Sequence, residues 1–519
     1  MVYVMRWMLN RRFEAMNKLV FSFLLFLVLS FGGYAQPTAY PMGFGFTRSA
    51  RAAVLRSDSL VFLSMQPFSK SDLPLSKMEG ERKDSVKLYH DLAELLLRKD
   101  LLVYEADGVR VKMNVLYDFR AGTDFTDTLN YARGKRLVNN MRGLWVQADF
   151  GKRFSVETGF YESQQYLPKY LKSFVDSTGV LPGLGRTKPF HTEGVDYALS
   201  FSRLTCDFTK HLRGSLGYGK HKIGHGYRSL LWSDGAFNYP YLQADWKSKH
   251  WRFSHVWNVL QDQTRLPLGS TPESLFRRKG GTFSLLSWKP NQHWEISLFE
   301  AVIWSKYNAS GLQTIPLDFY VPIIGSGLLN WNSSRNKLLC GLDFQHKLSS
   351  RWEVFGQILF DGDQVKQNRG GVQLGISGYN LGVENLDIGF EYNRVQPGVY
   401  TSRHFWTDYS TTGQFIGMPL NNVTEFMAKA RYRYDRYFLR LKYNYVTQAY
   451  LMNESEARKM HQFDLELGYW FNPKTNSEIL ITYTDRVDHR SGVPSSVNAH
   501  SSIVMLGLRT SIHALYKDF

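Results

Sequence analysis

Cysteine is nearly absent from this chain. Only Cys206 and Cys340 occur among its 519 residues, too few for the disulfide framework of a small secreted domain. Two thiolates also cannot supply the four sulfur ligands of a structural zinc site. Beyond residue 36 the sequence has no long apolar run either. A transmembrane helix needs roughly 20 apolar residues, so no such helix is predicted there.

One short apolar run does stand near the N-terminus. Residues 21–31 are almost entirely apolar, Lys18 precedes them and small residues lead up to Ala35. This order is typical of a signal peptide, and we predict cleavage after Ala35. Met16 is the better start for such a signal, so the residues before it form an upstream extension. An uncleaved anchor or a buried helix is the alternative.

Basic residues exceed acidic ones. The chain has 63 Lys and Arg against 46 Asp and Glu, a formal charge of +17. Such an excess suits nucleic acid, lipid headgroups or acidic glycans. Because the chain carries an export signal, we expect no nucleic-acid partner. Outer-membrane lipid and an anionic surface glycan are the expected partners.

Aromatic residues are abundant, at 15% of the chain, and they belong to alternating patterns. Apolar residues occupy every second position in 386–392, 426–434, 437–445 and 463–471, and charges or amides fill many of the positions between them. Successive residues of a strand point to opposite faces. Each segment therefore predicts a strand with one apolar and one polar face.

The strands of a soluble β-sandwich would also alternate apolar and polar residues, so alternation alone does not distinguish a sandwich from a membrane barrel. They are about 10–14 residues long, as tilted membrane-spanning strands are. Their apolar faces often end in Tyr, Trp or Phe, like the aromatic girdles of outer-membrane barrels. We therefore predict an all-β transmembrane barrel in the bacterial outer membrane, with a secreted soluble β-protein as the alternative.

The pattern predicts eighteen antiparallel spanning strands. They lie near 111–120, 142–151, 153–162, 194–206, 210–220, 238–248, 250–261, 280–289, 292–304, 337–347, 350–361, 370–380, 384–396, 423–434, 436–449, 461–472, 475–487 and 501–516. An even number is typical of bacterial barrels. Short connections such as 435–436 are expected in the periplasm, and long ones such as 163–193 and 305–336 outside the cell.

The last predicted strand continues to the end of the chain. In 501–516 the alternation would place Leu506, Leu508 and Ile512 on the lipid face. The chain then stops at Phe519, and a terminal aromatic residue after an amphipathic strand resembles the signal for outer-membrane assembly.

The segment before the barrel has another character. Residues 36–110 mix charges, and 81–99 predict a helix with an apolar stripe of leucines. Since helix and strand cannot share a barrel wall, this part is expected at the periplasmic mouth or inside the lumen. The predicted organisation is a 1–35 extension and signal peptide, a 36–110 helical segment and a 111–519 barrel.

A glycine-rich stretch at 217–229 is the strongest local motif. Its spacing does not match a phosphate-binding loop, and no helix pattern follows it. His221 and His225 are four residues apart but lack the helical context of a zinc protease. Glycines at this density more often allow a turn or a close backbone approach. We expect no catalytic residues, no metal, no cofactor and no enzymatic activity.

The same region carries a family resemblance. Residues 217–242 read GYGKHKIGHGYRSLLWSDGAFNYPYL and resemble a block of the Wzi-like capsule-assembly barrels, a group that includes the RemB-like gliding-motility barrels of Bacteroidota. The matching residues, structural or binding, are Gly219, Gly224, Gly226, Arg228, Ser229, Ser233 and Asp234. The resemblance implies an eighteen-stranded barrel with an N-terminal helical plug, and it transfers no catalytic residue.

A basic strip on two neighbouring strands is the candidate ligand site. Its members are Lys429, Arg431, Arg433, Arg440 and Lys442. Asp387, Glu391, Asp464 and Glu466 on nearby strands could supply counter-charge. The strip is therefore either a charge network that fills the lumen or a surface for an anionic glycan or the plug. Aromatic residues in the long loops, among them Trp232, Tyr239, Tyr400 and Tyr409, either pack the loops or stack on sugars.

Two functional classes follow from these features. One is a barrel that binds or anchors a surface polysaccharide. The other is a non-enzymatic subunit of a gliding-motility, secretion or outer-membrane assembly complex, with other proteins of that complex as partners. A helical plug and a crowded charged lumen weigh against a diffusion porin.

Overall fold

A computed structural model describes most of the chain. It covers residues 37–74, 100–127, 136–265, 276–305, 307–308, 311–312, 319–329, 336–362, 369–402, 405–450, 453–491, 499–513 and 516–518. The predicted signal peptide at 1–35, the predicted helix at 81–99 and the terminal Phe519 lie outside the described residues.

Eighteen antiparallel strands form a closed barrel. They are β1 Val109–Asp124, β2 Arg136–Phe150, β3 Phe154–Tyr166, β4 Gly194–Asp207, β5 Leu212–Gly219, β6 Tyr239–Lys247, β7 Trp251–Arg265, β8 Phe276–Trp288, β9 Trp294–Ser305, β10 Asn336–Lys347, β11 Trp352–Gly362, β12 Arg369–Gly378, β13 Asp387–Val395, β14 Val423–Tyr434, β15 Tyr437–Tyr450, β16 Asn453–Asn472, β17 Ser477–Arg490 and β18 Ala499–Thr510. The predicted fold is confirmed, and every predicted strand overlaps one observed strand.

Short elements decorate the wall. Within the described residues the helices are α1 Phe44–Leu55, α2 Lys169–Thr178 and α3 Ser326–Leu329, with 3-10 turns at Lys70–Asp72 and Phe405–Thr407. The short strands are Leu102–Ala106, Met65–Gln66 paired with Lys222–Ile223, Val180–Leu181 with Gly185–Arg186, Lys188–Phe190, Tyr307–Asn308 with Gly311–Leu312, and Ser410–Thr411 with Gln414–Phe415. Helix α1 was not predicted from the sequence.

The barrel closes where its last strand meets its first. Ile503 to Arg509 of β18 pair with Asp124 to Asp118 of β1. The other half of β1 pairs instead with Leu102–Ala106, which forms a hairpin with it. The seam between β1 and β18 is therefore shorter than most other strand pairings in the wall.

The two rims of the barrel differ in their connections. At the short-turn rim the strands are joined by brief segments such as 151–153, 248–250 and 435–436. At the long-loop rim the connections include 167–193, 220–238 and 396–422. Because the strand number is even, β1 begins and β18 ends at the same short-turn rim.

The outer face of the wall is apolar. Leu242, Leu298, Phe390 and Leu506 are each about half exposed there. Exposed aromatic residues gather near the short-turn rim, namely Trp246, Trp251, Trp288, Trp294, Tyr434 and Tyr437. An apolar band edged by aromatics matches the lipid-facing surface of outer-membrane barrels. Among the described residues, no helix is long and apolar enough to cross a bilayer.

An N-terminal plug, residues 37–74, closes the lumen at the short-turn rim. Ala50, Ala53 and Val54 of helix α1 are buried against the wall. Asp72 pairs with Arg213 at 3.3 Å and with Lys247 at 2.6 Å. These wall residues lie at the rim ends of their strands, so the plug is fastened around the mouth of the barrel.

Long loops fold inward from the opposite rim. The inner loop, residues 220–238, places Leu230, Leu231 and Trp232 at no more than 1% exposure. Tyr400 and Tyr409 of the 396–422 loop donate hydrogen bonds to the carbonyls of Leu230 and Leu231, both at 2.7 Å. Apolar wall residues complete this core, so the described loops fill the lumen near the long-loop rim.

The end of the chain also enters the lumen, which corrects the predicted last strand. Strand β18 stops at Thr510, and the described residues beyond it form a tail inside the barrel. Ile512 is 5% exposed within the lumen core and does not face lipid. Its carbonyl accepts a 2.9 Å hydrogen bond from the backbone of Gly43, so the plug holds the tail inward.

Candidate ligand-binding site in the barrel lumen

A cavity of about 400 Å³ remains in the lumen between the plug, the inner loop and the tail. Four members of the predicted basic strip line it, namely Lys429, Arg431, Arg440 and Lys442. Arg433 lies outside this lining and donates a 3.2 Å hydrogen bond to the side chain of Asn385. The alternation of β14 and β15 explains the placement, because every second residue points inward.

The cations of β15 are well paired. Arg440 contacts Glu466 at 2.9 Å and Glu478 at 2.5 Å. Lys442 contacts Asp464 at 3.0 Å. Asp464 and Glu466 thus provide counter-charge as the sequence suggested, and this side of the strip is a charge network.

Arg509 of β18 belongs to the same network. It reaches Glu466 at 2.7 Å and Glu478 at 2.9 Å. Two arginines and two glutamates therefore share one cluster, and their charges balance. Arg509 was not singled out from the sequence, because its carboxylate partners come from two other strands of the wall.

The two other expected counter-charges have different partners. Both oxygens of Asp387 accept hydrogen bonds from Arg48 of the plug, at 2.6 and 2.8 Å. Glu391 accepts the backbone N–H groups of Tyr227 and Arg228, at 2.6 and 3.0 Å. The two expected counter-charges near β14 are thus paired with the plug and with the inner loop.

Lys429 and Arg431 of β14 are left without a carboxylate. In the described part of the chain neither side chain has a hydrogen bond or an ion pair, and Nε of Arg431 is buried without a partner. Arg431 lies over the ring of Trp470, 5.2 Å from its centroid. A cation–π contact orients the guanidinium but does not neutralise it.

The tail adds another unpaired cation. Lys517 lines the cavity, and its ammonium has no hydrogen bond or ion pair among the described residues. Burial, followed by the charge of Arg120, lowers the pKa of Lys517 to about 8. The lining of the cavity therefore contains more cationic side chains than carboxylates.

The inner loop is anchored through Arg228. This side chain is 2% exposed and contacts Glu425 at 2.8 Å and Asp518 of the tail at 3.1 Å. Burial alone would raise the pKa of Asp518. The positive charges of Arg228 and Lys442 lower it by more, so the pKa of Asp518 lies below its ordinary value. Asp518 is accordingly an ionised counter-charge that links loop, tail and wall.

The glycines of the family block serve close approach. Gly224 has φ +105°, and a Cβ there would lie 2.2 Å from Nε2 of Gln357. A Cβ on Gly226 would lie 2.7 Å from Glu391. Gly219 is different, since it ends wall strand β5 and has space for a side chain.

The remaining block residues hold the loop together. Ser229 accepts the backbone N–H of Trp232 at 3.0 Å, and Ser233 accepts that of Gly235 at 3.0 Å. Asp234 accepts the hydroxyl of Tyr516 at 2.6 Å. These side chains are occupied by contacts within the protein.

The two histidines have separate environments. His221 contacts Tyr239 and Gln243, whereas His225 contacts Arg51 at 2.5 Å and Asp343 at 3.5 Å. In the regions that the structure describes, no group of three or more His, Cys, Asp or Glu side chains could hold a metal ion.

The loop aromatics mostly pack the interior. Trp232, Tyr239, Tyr400 and Tyr409 are at most 2% exposed. The loop-packing alternative holds for these residues, because their rings are not accessible to a sugar. Residues that sequence reasoning missed at the cavity are Arg48, Arg51 and Lys517, which lie in the plug and in the tail rather than in alternating wall strands.

These features define a class: an eighteen-stranded antiparallel β-barrel whose lumen is filled from both rims. Comparison with solved structures agrees. The chain is similar to Wzi of Escherichia coli, described as an outer membrane protein involved in group 1 capsule assembly and a carbohydrate binding β-barrel. The TM-score is 0.55 and the identity 12%, over 91% of this chain and 99% of that one.

Acinetobacter baumannii OccAB2 is a more distant match. Its TM-score is 0.46 and its identity 11%, over 78% of this chain and 98% of that one. No protein-family model matches the chain, and no curated protein matches its sequence.

Proposed function

We propose that this protein is a non-enzymatic outer-membrane barrel that binds or anchors a surface polysaccharide. The observation that carries the proposal is the lumen itself, which is plugged near both rims yet keeps a cavity lined by unpaired cations. The fold likeness to Wzi supports it, since Wzi is a carbohydrate binding barrel. The overall basic charge suits an acidic polysaccharide.

The filled lumen argues against a diffusion channel. The plug closes the short-turn rim through Asp72, and the inner loop fills the other half with apolar side chains. A solute would have to displace packed side chains to pass. Single-channel recording of the purified protein should therefore show no steady conductance, and a stable open pore would contradict this part of the proposal.

The proposal includes an orientation. The long-loop rim faces the outside of the cell, where a surface polysaccharide is accessible, and the short-turn rim faces the periplasm. Protease added to whole cells should then cut within 167–193 and leave Asp435–Arg436 intact. Cleavage at Asp435–Arg436 in intact cells would show the opposite orientation.

The direct test is a deletion strain with a complemented control. Loss of the protein should release surface polysaccharide into the medium while synthesis continues, and the complementing gene should restore retention. Gliding and protein secretion are scored in the same strains. Normal polysaccharide retention together with lost gliding or secretion would favour the alternative, a structural subunit of a motility or secretion complex.

A further inference from the structure

The lumen cavity holds more positive charge than the structure uses. The described carboxylates that line it are Asp118, Asp387, Asp464 and Glu466. Each is already paired with an arginine or a lysine of the plug or the wall. Lys429, Arg431 and Lys517 remain without hydrogen bonds or ion pairs among the described residues.

Unpaired charges are unusual in such a place. Lys429, Arg431 and Lys517 are only partly exposed. Withdrawing an unpaired charge even partly from water is costly, and proteins usually pair such charges or use them to bind an ion. Replacing these side chains by apolar ones would avoid that cost. Their presence around one cavity therefore points to a ligand that supplies the missing negative charge.

The geometry suits a small oxyanion. Lys429 and Arg431 are two residues apart on β14, so both side chains enter the lumen from the same strand. The Arg431 guanidinium is oriented by Trp470, and a planar guanidinium matches the oxygens of a carboxylate or phosphate. Lys517 lines the same cavity from the tail.

The size of the cavity limits the ligand. Its volume of about 400 Å³ is at the lower end of the roughly 300–1,000 Å³ typical of small-molecule sites. One acidic sugar fits a cavity of this size and a phosphate would occupy only part of it, whereas a polysaccharide chain is too large.

We infer that the lumen cavity is a binding site for a small oxyanion, a phosphate or the carboxylate of one acidic sugar, held by Lys429, Arg431 and Lys517. This site does not depend on polysaccharide anchoring, because it would bind a small anion whether or not that anion belongs to a surface glycan. A bound anion would also stabilise the ionised form of Lys517, whose pKa burial has lowered.

The experiment is isothermal titration of the full-length protein in neutral detergent at low salt. The probes are inorganic phosphate, glucuronate and glucose. We expect phosphate or glucuronate to bind and glucose not to bind. Binding of phosphate alone identifies a phosphoryl ligand, and binding of glucuronate alone identifies an acidic sugar. Absence of binding by both anions overturns the inference.

Variants assign the site. The double variant Lys429→Gln with Arg431→Gln should weaken anion binding at least tenfold. The matched control, Lys210→Gln with Lys249→Gln, removes two exposed cations from short turns at the rim and should bind like the unmodified protein. Equal weakening in both variants would show a general charge effect and would overturn the assignment.

A second variant tests the site if the double variant of Lys429 and Arg431 does not fold. Lys517→Gln changes the tail alone, outside the barrel strands, and should also weaken binding. A folded, heat-modifiable Lys517→Gln protein with unchanged affinity, together with a failed wall variant, would contradict the site as assigned here.

Discussion

Replacing Asp518 by Asn should loosen the interior of the barrel. The carboxylate is fully buried and contacts Lys442 at 2.6 Å and Arg228 at 3.1 Å. Asn keeps the size of the side chain but removes its charge. Each cation retains one other carboxylate, Asp464 or Glu425. Breaking a buried ion pair costs about 3–5 kcal/mol when it leaves a charge uncompensated. Since both cations keep a carboxylate, we expect a loss below that range.

The assay compares thermal unfolding and heat-modifiability of the purified variant with those of the unmodified protein. Asp176→Asn is the matched control, since it breaks a pair with Lys172 in which the carboxylate is 55% exposed. That change should cost no more than about 0.5 kcal/mol. Equal unfolding temperatures for Asp518→Asn and Asp176→Asn would refute the role given to the tail.

The pH dependence of this contribution has a defined sign. Because the pKa of Asp518 is lowered in the folded state, its stabilisation is complete above the ordinary Asp pKa of about 3.9. It is lost as the pH falls through the lowered folded value. The difference between the unmodified protein and Asp518→Asn should therefore shrink in strong acid.

Further tests address the inner loop, the lipid face, the tail and the plug. Gly224→Ala should reduce the yield of heat-modifiable barrel, because its Cβ would collide with a buried side chain, whereas Gly219→Ala should not. Leu506→Asp should hinder membrane insertion, with a free-energy cost below the roughly 2–4 kcal/mol of a lipid-facing Lys or Arg. Ile512→Asp should instead leave insertion intact and expose the interior to protease, since Ile512 is in the lumen. Burial would raise the pKa of Asp72, but its two cations lower it overall, so the plug should become protease-sensitive only in acid, as the pH falls through that lowered pKa.

The strands of the wall were predictable because the polarity of their side chains alternates along the sequence. Lipid on one side and the lumen on the other impose a two-residue alternation, which is visible in segments such as 426–434 and 463–471. The same logic failed at the end of the chain. Ile512 continues the alternating pattern, but a period of two cannot tell lipid from an apolar lumen core.

The interior was less predictable, since its contacts join distant parts of the chain. Helix α1 is short and contains Gly45 and Thr47, so its sequence gives a weak helical signal. Its arginine Arg48 pairs with Asp387, 339 positions away. The sequence suggested Asp387 as counter-charge for the basic strip. The structure pairs Asp387 with the plug and Glu391 with the inner loop, and together these contacts leave Lys429 and Arg431 without a carboxylate partner.

The tail has a mechanical consequence for the seam of the barrel. Strands β1 and β18 share the residue pairs from 503 to 509, fewer than most neighbouring strands of the wall share. The tail that follows β18 is tied to the plug through Gly43 and to the β16–β17 turn through Asn476. Separating β18 from β1 would pull those bonds apart together with Asp518 and its partners. The seam of the barrel is thus braced from inside, and removal of the tail should weaken it although the tail is not part of the wall.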